Sequence, residues 1–243
     1  MATGYAIQEA AIGLWPDRIA GWKVGLVPPP LQARLGTAHL AGPIFLEGLV
    51  RNAGVDAVRL AAIPGGFAAI EVELVIAALI DAPPHKTEWT LNESAQFAGD
   101  WHFGVEFAAS PLATINELGP TVVASDFGNN SGLVLGPRID TTLIAEPAML
   151  TCRTRIDGKQ VGFASVAELP GGPLAALRFL LGHLASRGRP VRAGQLVSTG
   201  AITGVHTISP GQRGEVEFIG HGRIEVMVVP AAARSGKLRL DDA

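Results

Sequence analysis

Three acidic residues stand among neighbours that ordinarily exclude charge. Glu71 and Glu73 interrupt the run AAIEVELVIAALI, and Glu106 interrupts WHFGVEFAAS. In a strand, residues two apart share a face with Cα atoms about 6.5 Å apart. Glu71 and Glu73 would therefore aim their carboxylates into the same space. Two ionised acids in that setting repel each other and lose hydration, which raises their pKa unless a cation compensates. The nearest basic residues in the chain, Arg59 and Lys86, are too distant in sequence to do so locally. A hard divalent ion held by oxygen ligands is one solution. The other is a strand at a sheet edge whose glutamates face water, and the pattern alone admits both. Glu106 admits the same two readings.

Lys23 is a lone cation in the apolar segment GWKVGL, just ahead of Pro28, Pro29 and Pro30. It either snorkels to the surface or sits near a metal with a lowered pKa, as an acid or base. Glu47, in FLEGLV, is another acid among apolar neighbours and could serve as a general base. Asp126, Asn129, Asn130, Ser131 and Gly132 make a turn rich in hydrogen-bonding groups. Turn chemistry explains such a cluster, but the same groups can hold a substrate carboxylate. Ser198-Thr199-Gly200, at a strand end, could do likewise. The six histidines show no HxH or HExxH spacing, and there is no GxSxG, P-loop or dinucleotide fingerprint.

These groups need elements to hold them. Residues 4–14 read as a helix and 21–26 as a strand. The prolines bar a strand or helix interior until Leu31, after which LQARLG forms a short helix closed by Gly36. AAIEVELVIAALI is too β-branched, and too short between breakers, to favour a helix over a buried strand. Residues 82–100 read as a loop leading into a helix or turn. WHFGVEFAA then reads as a strand and VVASDFGNNSGLVLG as a strand-loop unit. Asp157-Gly158 marks a hairpin between two alternating strands in MLTCRTRIDGKQVGFAS. Residues 173–187 form the best helix, with Pro173 in its first turn and Gly188 closing it. The remainder is strands punctuated by glycine turns.

The expectation is an α+β chain folded as a single domain over 1–243. Within it, 1–40 form a smaller N-terminal segment packed on the rest, and 230–243 a partly disordered tail. A chain of 243 residues with 48% hydrophobic content can bury a sizeable core. No basic stripe with interleaved aromatics is present, so nucleic-acid binding is not expected. Only 17% of residues are charged and the net charge is -3, a charge-poor surface that leans towards a homo-oligomer. Cys152 is the lone cysteine, in keeping with a reducing compartment. The first residues lack the basic head and long apolar run of a signal peptide. Apolar stretches such as 72–80 are interrupted too soon to span a bilayer. The chain reads as cytoplasmic, with no membrane partner.

Five segments, GWKVGL at 21–26, IEVEL at 70–74, GVEFAAS at 104–110, SDFGNNSGLVLG at 125–136 and VSTGAIT at 197–203, resemble the fumarylacetoacetate hydrolase superfamily. Within it they are similar to the 2-keto-4-pentenoate hydratase and 4-oxalocrotonate decarboxylase branch. The resemblance implies a mixed β-sheet roll or barrel-like core with a few flanking helices. It implies Mg2+ or Mn2+ bound by Glu71, Glu73 and Glu106, with Lys23 and Glu47 catalytic and Asn130, Ser131 and Thr199 binding substrate. The implied activity is that of a lyase of aromatic catabolism, a hydratase that adds water to a 2-hydroxy-2,4-dienoate and leaves a 4-hydroxy-2-oxo acid. Alternatives are a 4-oxalocrotonate-type decarboxylase, an acylpyruvate hydrolase using His39, or a non-catalytic partner subunit of a hydratase/decarboxylase complex. The chain departs from the branch at Val27, where Thr or Ser is usual, and at Glu47-Gly48, which replaces an acidic pair.

Overall fold

The computed structural model describes residues 1–51 and 56–232. Its strands are β1 (Ile19–Leu26), β2 (His39–Phe45), β3 (Leu49–Arg51), β4 (Val58–Ala62), β5 (Phe67–Ala78), β6 (Ala98–Ser110), β7 (Asn130–Ile139), β8 (Thr151–Ile156), β9 (Lys159–Ser165), β10 (Leu196–Ser198), β11 (His206–Thr207), β12 (Arg213–Phe218) and β13 (Gly222–Pro230). The helices are α1 (Ala2–Leu14), α2 (Pro29–Leu35), α3 (Leu91–Ala95), α4 (Ile115–Leu118), α5 (Pro120–Ser125), α6 (Thr141–Ile144) and α7 (Gly172–Ser186). The larger sheet runs β2-β1-β10-β5-β6-β7-β3, with β11 also paired to β5; the smaller runs β4-β13-β12-β8-β9. Parallel pairings of β1 with β10, β3 with β7 and β4 with β13 make both sheets mixed. The larger sheet curls into a half-barrel, so the α+β roll expected from sequence is the fold found.

The alternation of side chains explains why the long strands read as almost continuously apolar. On the convex face, Ile70, Val72, Leu74 and Ile76 of β5 join Phe103, Val105 and Phe107 of β6 in the main core. Leu177, Leu180, Leu181 and Leu184 of α7 and Cys152, Val216, Phe218 and Val226 of the smaller sheet cover that face. The concave face holds a smaller apolar cluster of Ile44, Val75, Leu133, Leu135 and Leu196. Both faces are thus buried, as in parallel and mixed sheets covered on either side.

Several local expectations hold. Asp157 (φ 49°) and Gly158 (φ 79°) form the two-residue turn between β8 and β9, where the left-handed backbone matches the twist of the hairpin. The loop within 82–100 leads into helix α3, as expected, and the structure adds a reciprocal cap between Thr90 and Glu93. Two features differ from expectation. Pro29 and Pro30 start α2 rather than delaying it, since a first helical turn needs no proline N–H. The first half of VVASDFGNNSGLVLG is helix α5, not strand, because Pro120 opens it and it packs against α1.

α1 is tied down by polar contacts. The Gln8 amide donates to the carbonyls of Ala41 (3.0 Å) and Ala124 (2.7 Å), while the Tyr5 hydroxyl accepts from the Ala41 N–H. β1, within the expected N-terminal segment 1–40, lies inside the larger sheet between β2 and β10. Of the expected tail, Pro230 ends β13, and residues 233–243 lie outside the described residues. Among the described residues, no helix is long and apolar enough to cross a membrane.

Candidate metal centre

Register brings the three acids together. Glu71 of β5 sits directly opposite Glu106 of β6, and Glu73 sits opposite Gly104. Because paired positions share a face, all three carboxylates project onto the concave side, away from the core residues that alternate with them. One ligand oxygen from each lies within 4.8 Å of the others. Glu73 and Glu106 are 0% exposed and Glu71 is 6% exposed.

Lys23 joins them from β1. Three strand spacings separate β1 from β6, about 14 Å in a flat sheet, yet Lys23 Nζ lies 3.2 Å from Glu106 Oε1. The curl of the sheet closes that gap. Two glycines make room for the contact: a Cβ on Gly42, the β2 partner of Lys23, would lie 1.8 Å from the Phe127 carbonyl oxygen. A Cβ on Gly128 would press on the lysine stem at 3.0 Å. The turn they fit is left-handed throughout, with φ of 52° at Phe127, 69° at Gly128 and 55° at Asn129. Consecutive left-handed residues are unusual, and such strain persists only where the surroundings enforce it.

The electrostatics follow from burial. Desolvation, reinforced by the Glu106 charge and opposed by Lys23, pushes the Glu71 carboxyl up to about 7. Glu73 is held well above the usual carboxylate range for the same reasons, with Glu71 adding to the repulsion. Burial alone would lower Lys23, but the charges of Glu106, Glu71 and Glu73 outweigh it and hold the ammonium above its ordinary pKa. The lowered lysine pKa expected from sequence is therefore corrected. An isolated buried amine would lose its proton, but this one is surrounded by acids.

Each of two acids has one oxygen fixed and one open. Glu73 Oε2 accepts from Ser198 Oγ (2.5 Å) and the Gly200 N–H (2.8 Å), while Oε1 is buried without a partner. Glu106 Oε1 accepts from Asn130 Nδ2 (3.0 Å) and Lys23, while Oε2 is buried without a partner. Convergent anionic oxygens with orphaned lone pairs fit a hard divalent cation. The hydrogen bonds behind them are the outer shell that orients such ligands.

The remaining residues singled out in the sequence divide. Asn130 is buried against Glu106. Glu47 is exposed on the short turn after β2, where its N–H donates to Asp17. With Asn130 and the exposed Ser131 it lines a cleft of about 610 Å3 that also includes Trp15, Phe127 and Arg59. The Thr199 hydroxyl donates to the Leu74 carbonyl, and its neighbours Ser198 and Gly200 are the groups that hold Glu73. Asp126 accepts from Ser110 Oγ. His39 packs its ring on Phe179 of α7, centroids 5.2 Å apart. By strand alternation it faces away from Lys23. The role of Ser198 as a carboxylate anchor is not legible in sequence, since it depends on a β10–β5 register spanning 125 positions.

Comparison with known proteins agrees with this fold. The family model described as fumarylacetoacetate (FAA) hydrolase C-terminal matches residues 53–229. Among solved structures, 4-oxalocrotonate decarboxylase from Pseudomonas putida G7, complexed with magnesium and adipate, is similar with a TM-score of 0.76 at 21% identity. The match covers 93% of this chain and 85% of that one. Fumarylpyruvate hydrolase from Pseudomonas aeruginosa, in complex with Mn2+ and pyruvate, gives a TM-score of 0.61 at 17% identity over 89% and 91% of the two chains. Maleylpyruvate hydrolase from Sphingobium sp. SYK-6, with manganese and pyruvate, gives 0.57 at 15% identity over 87% and 71%.

Proposed function

The chain belongs to the fumarylacetoacetate hydrolase family, and from that premise we propose that it is a metal-dependent lyase acting on an unsaturated 2-oxo acid. The preferred reaction is hydration of a 2-hydroxy-2,4-dienoate to a 4-hydroxy-2-oxo acid. The observation that carries the reading is the buried Glu71–Glu73–Glu106 cluster with open oxygens on Glu73 and Glu106 and Lys23 beside it. These three acids would hold Mg2+ or Mn2+, which supplies positive charge to polarise the carbonyl of a chelating 2-oxo acid.

The chain's own groups do the rest. Lys23 Nζ is a charged, water-shielded proton donor fixed at Glu106, and it serves to give a proton to the dienol carbon skeleton. Asn130 holds Glu106 in place from the cleft side. Ser131 binds the substrate carboxylate, and Glu47 orients the attacking water at the cleft edge. Thr199 fixes the strand end that presents Ser198 and Gly200 to Glu73, and so shapes the site through the backbone.

A second reading, decarboxylation of a 4-oxalocrotonate-type dicarboxylate, is favoured by Arg59, a cation in the same cleft as Asn130 and Ser131 that can take a second carboxylate. The histidine route of an acylpyruvate hydrolase finds no support in the placement of His39 against α7. Calorimetric titration of Mg2+ and Mn2+ into chelator-treated protein, with and without oxalate, tests the site. Binding strengthened by oxalate is expected, and no metal binding would end the proposal. Steady-state assays with a dienoate and with an oxalocrotonate then separate the two reactions.

A further inference from the structure

Three aromatic rings from distant parts of the chain meet at the cleft that carries Asn130 and Ser131. Trp15 ends α1, because Pro16 biases the residue before it out of helical backbone. It sits at φ −78° and ψ 125°, with its N–H closing on the Ile12 carbonyl. Its ring stacks on Phe45, the last residue of β2, with centroids 5.3 Å and planes 29° apart. Phe127, in the left-handed turn, meets both nearly edge-on, 5.3 Å from Trp15 and 5.1 Å from Phe45. Stacked and edge-on contacts of this kind are the ones aromatic rings prefer. Even so, Trp15 remains 41% exposed, with part of the indole open to the cleft.

The turn that carries Phe127 also reaches both members of the Lys23–Glu106 pair. Gly128 fits against the lysine stem, and Asn130 lines the cleft while donating to Glu106. Size and charge narrow what lies in the cleft. About 610 Å3 is room for a drug-sized molecule, well beyond a five-carbon acid. Among the described residues Arg59 is the one cation in the wall, against the acids Asp17, Glu47 and Asp126. That balance works against a second carboxylate, since like charges set side by side repel. Nor is a cation called for: Asp17 accepts backbone N–H groups on both oxygens, and Asp126 accepts from Ser110.

We propose that Trp15, Phe45 and Phe127 select a 2-oxo acid whose far end carries an uncharged alkyl or aryl group, seated against the exposed indole. This rests on the reading above that a metal at the three acids chelates the 2-oxo carboxylate. Covering the rings with that group removes apolar surface from water, a gain that a short acid does not make.

Calorimetric titration of Mg2+-loaded protein compares pyruvate, 2-oxo-4-phenylbutanoate and 2-oxoadipate, with oxalate as the control for the chelating head. The phenyl acid is expected to bind about tenfold or more tighter than pyruvate. It should also change the tryptophan fluorescence, a signal lost in Trp15→Phe. Trp15→Ala should compress the affinity ratio to about threefold or less, whereas a merely structural role would weaken both acids alike. Oxalate binding with equal affinity for the phenyl acid and pyruvate overturns the proposal and leaves the metal reading standing. A ratio unaltered in Trp15→Ala also overturns it. So does 2-oxoadipate binding tightest, which would give the far end to Arg59. No oxalate binding fails the metal reading itself, and this proposal with it. The ligand series in the unaltered protein decides the matter if Trp15→Ala does not fold.

Discussion

The tripeptide Glu-Val-Glu occurs twice in this chain, at 71–73 in β5 and at 215–217 in β12, and each copy lies in a strand with alternating faces. In β12 both glutamates lie on the open face of the smaller sheet, 26% and 31% exposed, with Arg153, Arg155 and Arg223 close by on neighbouring strands. Arg155 pairs with both. In β5 the same two residues are enclosed, face a third acid, and share one lysine. The difference lies not in the tripeptide but in what the sheet places beside it. Cross-strand arginines in contact with water make a solvated ion-pair ladder. Acids opposite acids inside a roll make a site for a cation.

Removing the lone cation should have the largest effect. Lys23→Met leaves Glu106 buried without its partner, and metal-free protein should lose about 3–5 kcal/mol in a denaturant titration. Added Mg2+ should restore much of it; an unchanged midpoint would mean that the acids do not depend on Lys23. Next is Glu73→Gln, which keeps the shape of the side chain but removes a ligand charge. Metal affinity should fall about a hundredfold or more, with far-UV circular dichroism unchanged, and an unaltered isotherm would refute the ligand assignment. Ser198→Ala removes one anchor of Glu73, and a loss of about tenfold in metal affinity is expected by the same titration. The smallest effect belongs to the outer copy. Glu217→Gln should change stability by less than about 1 kcal/mol and leave metal binding intact.

The comparison also has a pH signature. Burial and mutual repulsion raise the folded-state pKa values of Glu71 and Glu73 above the ordinary carboxylate value of 4.5, to about 7 for Glu71. Their protonated forms favour the folded state, so the contribution is fully present below about 4.5 and is lost as pH rises through about 7. Metal-stripped protein should therefore melt at a lower temperature at pH 8 than at pH 5.5, and saturating Mg2+ should narrow or reverse that difference. Thermal scans at the two pH values, with and without metal, check it.

How much of this is legible in the sequence depends on distance along the chain. The burial of Glu71 and Glu73 shows in the β-branched run around them, and the turn at Asp157-Gly158 shows in two adjacent residues. Even so, the run alone does not distinguish a buried pair from a solvated one, since Glu215 and Glu217 also flank a buried valine. Glu47 illustrates the converse. Its apolar neighbours suggest enclosure, but the short helical turn over 46–48 carries it outward. β4 is brief and pairs in parallel with β13, far along the chain, so no local pattern announces it. Helix α5 is hidden by two adjacent valines, which favour strand until Pro120 and the packing of α1 are taken into account.

The joint at Gly42 has a kinetic consequence. There β2 meets the left-handed turn that leads into β7 through backbone atoms packed shape against shape, where no side chain intervenes. With Glu73 and Glu106 wholly enclosed, an incoming ion is expected to wait on a local opening of the packing around them, of which this seam is one part. Stopped-flow mixing should then give association rates that level off at high metal concentration, at a plateau shared by Mg2+ and Mn2+. A plateau that differs widely between the ions would place the slow event in the shedding of their own water.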